Sequence, residues 1–256
     1  MNRALSKRQV VERPKSTRKH GPIGTVAIAV LALAAACRSG ADHADALTGV
    51  DPEAKSDALV YFMEEEGPTG LEDETRDLLR DTLRAERNPL VRAQAAQALG
   101  RALYDPEIRP PESPEAPPHT LSRGAEHVEW LLEKIEDPRQ QYRYEPHYAV
   151  RFDVVIALTT LGRSCDATVL ARIGKAFALR LGDGEEHPWV KIKAARGLGD
   201  LKIKEEAPAL VAALADSDQG VRLNAYRALV AISGDNSLEP VQADWKKKYP
   251  SSPTGK

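Results

Sequence analysis

Residues 190–199 read VKIKAARGLG, and the same pattern of residue types occurs at three other places in the chain. The other copies are residues 91–100 (VRAQAAQALG), 150–159 (VRFDVVIALT) and 221–230 (VRLNAYRALV). If the first Val of each copy is offset 0, apolar or small residues recur at offsets 0, 4, 7, 8 and 11, which lie on one side of an α-helix. Offset 7 is always Ala or Gly, so a neighbouring helix can approach closely there. The four copies therefore predict four similar amphipathic helices.

A second amphipathic helix is predicted before each copy, with a turn between the two. These preceding helices cover residues 72–87, 121–136, 166–181 and 205–215. The turns contain Pro89, Pro146, Pro188 or, before the last copy, Asp216 and Asp218. Successive copies start 59, 40 and 31 residues apart, so the loops vary in length while the helical pair recurs. Because each apolar stripe is too narrow to be self-sufficient, we predict an all-α fold in which antiparallel helix pairs stack into an α-solenoid.

Three of the copies with their turns, residues 88–102, 188–201 and 219–232, resemble the HEAT-repeat family, whose second helix reads Val-Arg followed by Ala-Ala and Ala-Leu-Gly. Residues 152–159 depart from this pattern, because Val154-Val155 replaces the Ala pair and Thr159 replaces the Gly. The resemblance implies a right-handed superhelix of the HEAT-like or armadillo type that binds proteins. We predict that the solenoid spans residues 53–249, that Trp245 belongs to a closing cap, and that residues 250–256 are a disordered tail.

The first 36 residues are predicted to be a signal peptide rather than part of the fold. Residues 1–22 contain seven Lys or Arg, and residues 23–36 form an uncharged apolar run of 14 residues. A basic stretch followed by a short apolar run that ends in small residues is typical of an export signal. Because a helix needs roughly 20 apolar residues to span a bilayer, a cleaved signal is favoured over a permanent anchor.

The sequence LAAAC, residues 33–37, resembles a bacterial lipobox, although Ala34 stands where Leu is commonest. The resemblance implies that Cys37 becomes the lipidated first residue of a mature lipoprotein, anchored to a membrane of the bacterial cell envelope. Residues 37–52 are then predicted to be a flexible tether. Ordinary cleavage after Ala36 is the competing interpretation, and it would release a soluble periplasmic protein.

The composition argues against binding of nucleic acid and against catalysis. Residues 37–256 hold 29 basic and 37 acidic residues, and their net charge of −8 provides no attraction to phosphates. The chain shows no Gly-rich phosphate loop, no paired-Cys zinc spacing and no carboxylate whose apolar surroundings would raise its pKa. The cluster Glu185-Glu186-His187 is interpreted as a solvated charge group, and Cys165 as a structural residue of a helix–helix turn. We therefore expect that the chain is not an enzyme and that it has no catalytic residue, cofactor or metal.

One face of the repeated helices is a candidate for binding a protein or peptide. Offsets 2 and 6 lie about 200° and 240° around the helix from offset 0 and should be polar, yet several of them are apolar. On the concave side of a solenoid they would form an apolar groove with a basic edge, and exposed apolar patches usually mark partner sites. The candidate residues are Phe152, Ile156, Ile192, Arg196, Leu223 and Arg227. The alternative is that they fill space between adjacent repeats or under loops.

Two further features have open interpretations. Offset 1 is always basic, and the residues are Arg92, Arg151, Lys191 and Arg222. They could grip an acidic partner, but the family resemblance implies that they bond to carbonyls or acids in neighbouring turns. Residues 105–119 contain six Pro, which indicates either a tolerated surface insertion or a proline-rich ligand for a partner.

The sequence thus predicts a non-enzymatic protein-binding scaffold, a HEAT-repeat lipoprotein of the cell envelope. A HEAT-like enzyme of the bilin lyase type and a purely structural envelope protein are the alternatives.

Overall fold

The computed structural model describes residues 40–64, 73–102, 125–136 and 144–250. Within these ranges the chain forms eleven α-helices and one short 3-10 helix, Lys204–Glu206, and no strand. The predictions for residues 1–36, Cys37, residues 105–119 and residues 251–256 lie outside the described residues. The helices are α1 Gly40–Thr48, α2 Pro52–Glu64, α3 Asp73–Ala85, α4 Pro89–Ala102, α5 Ala125–Glu133, α6 Tyr148–Gly162, α7 Ala167–Gly182, α8 Pro188–Asp200, α9 Ala207–Ala213, α10 Gln219–Ser233 and α11 Gln242–Lys248.

The helices stack as pairs in two layers, so the described residues 40–250 form an all-α solenoid, as predicted. In the second layer α2, α4, α6, α8 and α10 each contact the next member, and each also packs on the helix before it in the chain. The first layer contains α1 and α3, which contact each other, and the series α5, α7, α9 and α11, in which each contacts the next. One continuous apolar core runs between the layers from Leu47 to Trp245.

Local sequence signals place the ends of these helices. The Asp166 carboxylate accepts hydrogen bonds from the backbone N–H groups of Thr168 and Val169 and caps α7, and Asp218 caps α10 in the same way. Gly234 ends α10 in the left-handed region, with φ of 68°, where a residue without Cβ is favoured. The caps explain why these short helices start and stop where the repeat requires.

Small residues set the spacing of the second-layer helices. A Cβ added to Gly100 of α4 would lie 2.6 Å from the Cα of Ala157 in α6, so the two backbones are in contact. Gly199 of α8 stands in the same relation to Ala228 of α10, at 2.8 Å. The small residue predicted at offset 7 thus meets a glycine at offset 9 of the preceding helix.

The solenoid begins earlier in the chain than the sequence analysis predicted. Residues 40–48 form α1 rather than a flexible tether, and Leu47 is buried. Helices α1 and α2 make a fifth pair, in which Pro52, Ala54 and Lys55 occupy the places of Pro89, Val91 and Arg92.

The fifth pair was missed because Tyr61 replaces the small residue at offset 7. The large Tyr61 side chain is accommodated at this offset because its ring stacks on His43 of α1 at a centroid distance of 4.0 Å.

The C-terminal cap predicted around Trp245 is present. Trp245 is fully buried, meets the ring of Tyr226 edge to face at 6.3 Å, and donates its indole N–H to the carbonyl of Glu239. Its helix begins at Gln242.

Candidate protein-binding surface

The basic residues at offset 1 link each pair to the next through a series of ion pairs, which we call the rungs. Arg92 donates two hydrogen bonds to the carboxylate of Glu145, at 3.0 and 2.7 Å, and Lys191 contacts Asp216 at 3.1 Å. Lys55 of the first pair contacts Glu86 at 2.5 Å in the same arrangement. Each acid precedes the second helix of the next pair, so the rungs cross every joint between pairs. The structural interpretation of offset 1 is therefore correct.

The middle rung is the most deeply buried. Arg151 of α6 donates hydrogen bonds to both carboxylate oxygens of Glu186, at 2.9 and 2.6 Å, and the Glu186 side chain is completely buried. Burial lowers the pKa of Arg151, but the hydrogen bonds and charge of Glu186 outweigh it and raise this pKa above its usual value.

A second arginine shares this acid. Arg180 of α7, 1% exposed, lies 3.3 Å from Glu186 and donates to the Tyr144 hydroxyl at 2.6 Å. The interpretation of residues 185–187 as a solvated charge group is wrong for Glu186, because two arginines from other helices cover it.

Two histidines beside the middle rung place an aromatic row on the surface. The ring of His187 stacks on Tyr148 at a centroid distance of 3.9 Å, and Tyr148 stacks on His147 at 5.3 Å. Both imidazoles accept a backbone N–H through Nδ1, from Ala149 and from Trp189, so the rings are fixed as helix caps. Tyr148 is 42% exposed and Trp189 is 59% exposed. We call His147, Tyr148, His187 and Trp189 the aromatic row.

The sequence analysis did not find this row, because the histidines are far apart in the chain and their shared position, three residues before offset 0, lies outside the segments that were compared. The sequence did contain a signal. Each histidine stands directly before a repeated helix, at the position where a side chain can cap that helix. The parallel alignment of α6 and α8 then brings the two starts together.

The candidate groove is shallower than the sequence predicted. Phe152 is half-buried against the core, and the Lys193 ammonium lies 5.0 Å from the centre of its ring. Ile192 is also half-buried and packs under Gly220, where an added Cβ would lie 2.8 Å from Ile192 Cδ1. Offset 2 thus fills space between adjacent second-layer helices, which was the alternative interpretation.

The rest of the candidate set is more accessible. Ile156 is half-buried, Leu223 is 44% exposed, and Arg196 and Arg227 are exposed. Arg196 donates through Nε to the Asn224 side-chain oxygen at 2.7 Å, and the buried Asn224 is itself held by the Gly220 carbonyl. Arg196 and Arg227 line a depression of about 230 Å³ between α8 and α10.

The described residues offer little that resembles a catalytic site. They contain no group of three or more His, Cys, Asp or Glu side chains arranged to hold a metal ion. Cys165 is buried in the α6–α7 turn, and burial raises its thiol pKa to about 12, so it reacts poorly as a nucleophile. Burial also raises the pKa of Asp153, against the expectation that no carboxylate is so placed, but this carboxylate accepts a hydrogen bond from Gln97 across the α4–α6 joint.

Comparisons with known proteins support the helical-repeat architecture. A family model described as HEAT repeats matches residues 175–248. The structure of human deoxyhypusine hydroxylase in complex with glycerol is similar over 84% of this chain and 92% of that chain, with 18% identity and a TM-score of 0.25. No curated protein matches the chain.

The expectation that the chain is not an enzyme is corrected by these comparisons, because this matched structure is that of an enzyme. A TM-score of 0.25 carries no argument about the chemistry of this chain.

Proposed function

We propose that the chain is a scaffold that binds a protein or peptide, and that the aromatic row is the centre of the contact surface. The observation that carries the proposal is that Tyr148, 42% exposed, lies in a stack of three rings, with Trp189, 59% exposed, two residues from the His187 of that stack. Tyr and Trp are enriched among the residues that contribute most to protein–protein binding, because they offer a large apolar area with few rotatable bonds.

The rigidity of the row supports the proposal. The His187 ring accepts the backbone N–H of Trp189 through Nδ1, and the His187 backbone N–H donates to Glu186 at 2.8 Å, so both the ring and its backbone are held beside the buried middle rung. A surface whose rings are already ordered loses little conformational entropy when a partner binds. The HEAT repeats matched over residues 175–248 point the same way, since repeats of this family commonly mediate contacts between proteins.

The face predicted from the sequence supplies a second part of the proposed surface. Arg196 and Arg227 offer positive charge beside the depression between α8 and α10, so an acidic group of the partner would be favoured there. The apolar surface of Phe152, Ile156, Ile192 and Leu223 that is left after packing would contact the partner's side chains.

The test compares capture of cellular proteins by three versions of the full chain. The double variant Tyr148→Ala/Trp189→Ala removes the two exposed rings of the row, and Leu179→Ala removes a side chain that is 47% exposed on α7 in the other layer. A partner is a protein that the wild type and Leu179→Ala capture and the double variant does not. With that protein purified, we expect the double variant to bind at least about tenfold more weakly, as loss of one interface aromatic commonly costs.

Equal capture by all three versions would contradict the proposed surface, provided that far-UV circular dichroism shows the same helicity for each.

We also propose that the protein is exported and held on a bacterial envelope membrane through a lipid on Cys37. Support comes from the basic and apolar character of residues 1–36 and from the small residues before the cysteine. None of the helices in the described ranges is long and apolar enough to cross a membrane. In cell fractionation, Cys37→Ser should move the protein from the membrane fraction to the soluble fraction, and retention in the membrane would contradict lipidation.

A further inference from the structure

The joints between second-layer helices all have the same polarity. The hydrogen-bond donor lies on the earlier helix and the acceptor on the later pair, as in Arg92 to Glu145 and Arg151 to Glu186. A second set of links follows the same direction, from offset 6 to offset 3 of the next helix. These links join Gln97 to Asp153 and Arg196 to Asn224. A stack built in this way leaves donors at its C-terminal end and acceptors at its N-terminal end.

In the described part of the chain, no further second-layer helix follows α10 on its outer side. Arg222 takes offset 1 of α10 and bonds only to the carbonyls of Asp216 and Ser217, with no carboxylate partner among the described residues. Arg227 takes offset 6 and has no polar partner in the same part of the chain. Leu223 takes offset 2, where Phe152 and Ile192 are covered by the next helix, and it is 44% exposed. We call Arg222, Leu223 and Arg227 the C-terminal end face.

The N-terminal end carries the complementary charges. Asp51 is exposed, lies three residues before offset 0 and accepts the N–H of Glu53, so it takes the cap position that Asn88 takes in the next pair. Asp57 takes offset 3 of α2, the place of Asp153 and Asn224, and it is exposed. No cation of the described ranges pairs with either carboxylate. We call Asp51, Glu53 and Asp57 the N-terminal end face.

We propose that a second copy of this chain docks head to tail, with the C-terminal end face of one copy on the N-terminal end face of the next. Arg227 would pair with the next copy's Asp57 as Arg196 does with Asn224, and Asp51 and Glu53 would supply negative charge near Arg222. The two faces carry opposite charge, and Arg227 and Asp57 hold the same two offsets as the linked pair Arg196 and Asn224, so a second copy is the occupant that fits both ends. Because the two surfaces differ, the contact is heterologous and continues into an open chain of copies.

The joint between copies is weaker than the joints inside the chain. Helix α11 packs on α9 and reaches α10 at Tyr226, so the first layer already extends past α9 and the copies meet through α10 and α2 alone. Tyr61 at offset 7 of α2 also prevents the close backbone approach made by Ala157 and Ala228. The association is therefore reversible and depends on concentration and salt.

Sedimentation velocity of the full chain over a range of concentrations at low salt tests this proposal. We expect the wild type to grow into larger species as concentration rises. Arg227→Glu and Asp57→Lys should each weaken association about tenfold, because each places like charges at the joint. The variant that carries both changes should recover wild-type association, since the pair is restored with its signs exchanged. Arg163→Glu reverses an exposed charge on the α6–α7 turn and should have no effect.

Three results would overturn the proposal: a wild type that stays monomeric at every concentration, single variants that associate as the wild type does, or a double variant that fails to recover. Association through residues 1–39 would give the second of these results, so it is distinguished from the end-to-end contact. Arg227 and Asp57 are both exposed and make no polar contact within the described chain, so these variants are expected to fold.

Discussion

The α6–α8 joint and the α8–α10 joint use the same repeat positions in opposite ways. At the α6–α8 joint a buried acid, Glu186, holds two arginines, whereas at the α8–α10 joint Lys191 makes one contact with the half-buried Asp216. The α8–α10 joint instead relies on the contact of Gly199 with Ala228. One repeat pattern thus yields one joint dominated by buried charge and another dominated by close backbone packing.

The two joints also differ in which helix carries the glycine of the close contact. Thr159 replaces glycine at offset 9 of α6, and Gly197 replaces alanine at offset 7 of the facing α8, so the pair keeps one small member. An added Cβ on Gly197 would lie 2.7 Å from the Thr159 hydroxyl oxygen. The departure of residues 152–159 from the repeat pattern is therefore compensated on the next helix.

The largest effect is expected from Glu186→Ala at the α6–α8 joint. Removal of the carboxylate leaves Arg151 and Arg180 buried with too few acceptors, and loss of one partner from a buried ion pair costs about 3–5 kcal/mol. Chemical denaturation followed by circular dichroism measures the free energy of unfolding. A loss as small as that of a surface ion pair would show that the buried cluster does not dominate this joint.

A smaller loss, about 1–3 kcal/mol, is expected from Gly199→Ala, because the added methyl group forces α8 and α10 apart. Gly182→Ala is the matched control, since nothing lies within 4 Å of the added Cβ and the helix former should be neutral or slightly stabilising. Thermal unfolding of the two variants and the wild type gives the comparison. Equal melting temperatures for Gly199→Ala and Gly182→Ala would mean that the close contact can relax at no cost.

The smallest effect is expected from Asp216→Asn, about 1 kcal/mol near neutral pH, because this ion pair is single and Asp216 is only half-buried. Burial raises the pKa of Asp216, but hydrogen bonds from the Asp218 N–H and from Lys191 lower it more, so its pKa lies below the usual value. A depressed carboxyl pKa stabilises the fold above the unfolded pKa, about 4 for Asp, and this contribution is lost as pH falls further.

The difference in unfolding free energy between Asp216→Asn and the wild type should therefore shrink below about pH 4. A difference that stays constant down to lower pH would show that the charge of Asp216 does not stabilise this joint.

The sequence was sufficient for the helical pairs because their apolar offsets repeat in register, and each of the four predicted second helices is present. It was insufficient for the first pair, because Tyr61 replaces the small residue at offset 7. The structure accommodates this large side chain by stacking it on His43 of α1, a contact that the repeat pattern does not show. Burial of Glu186 was also hidden, because its partners Arg151 and Arg180 lie 35 and 6 residues away on different helices. Offset 2 was read as a surface column because a single helix does not show where its neighbour in the stack will lie.

Because of the rungs, the two edges of the solenoid should differ in how well they tolerate insertions. Every rung acid lies just before a second-layer helix, at the edge where the two helices of a pair are joined, so a change in length beside it would move a side chain that ties two repeats together. The other edge carries the connections from one pair to the next, and the longest of these, residues 103–124, begins and ends there. A segment inserted at that edge would leave the ionic links in place.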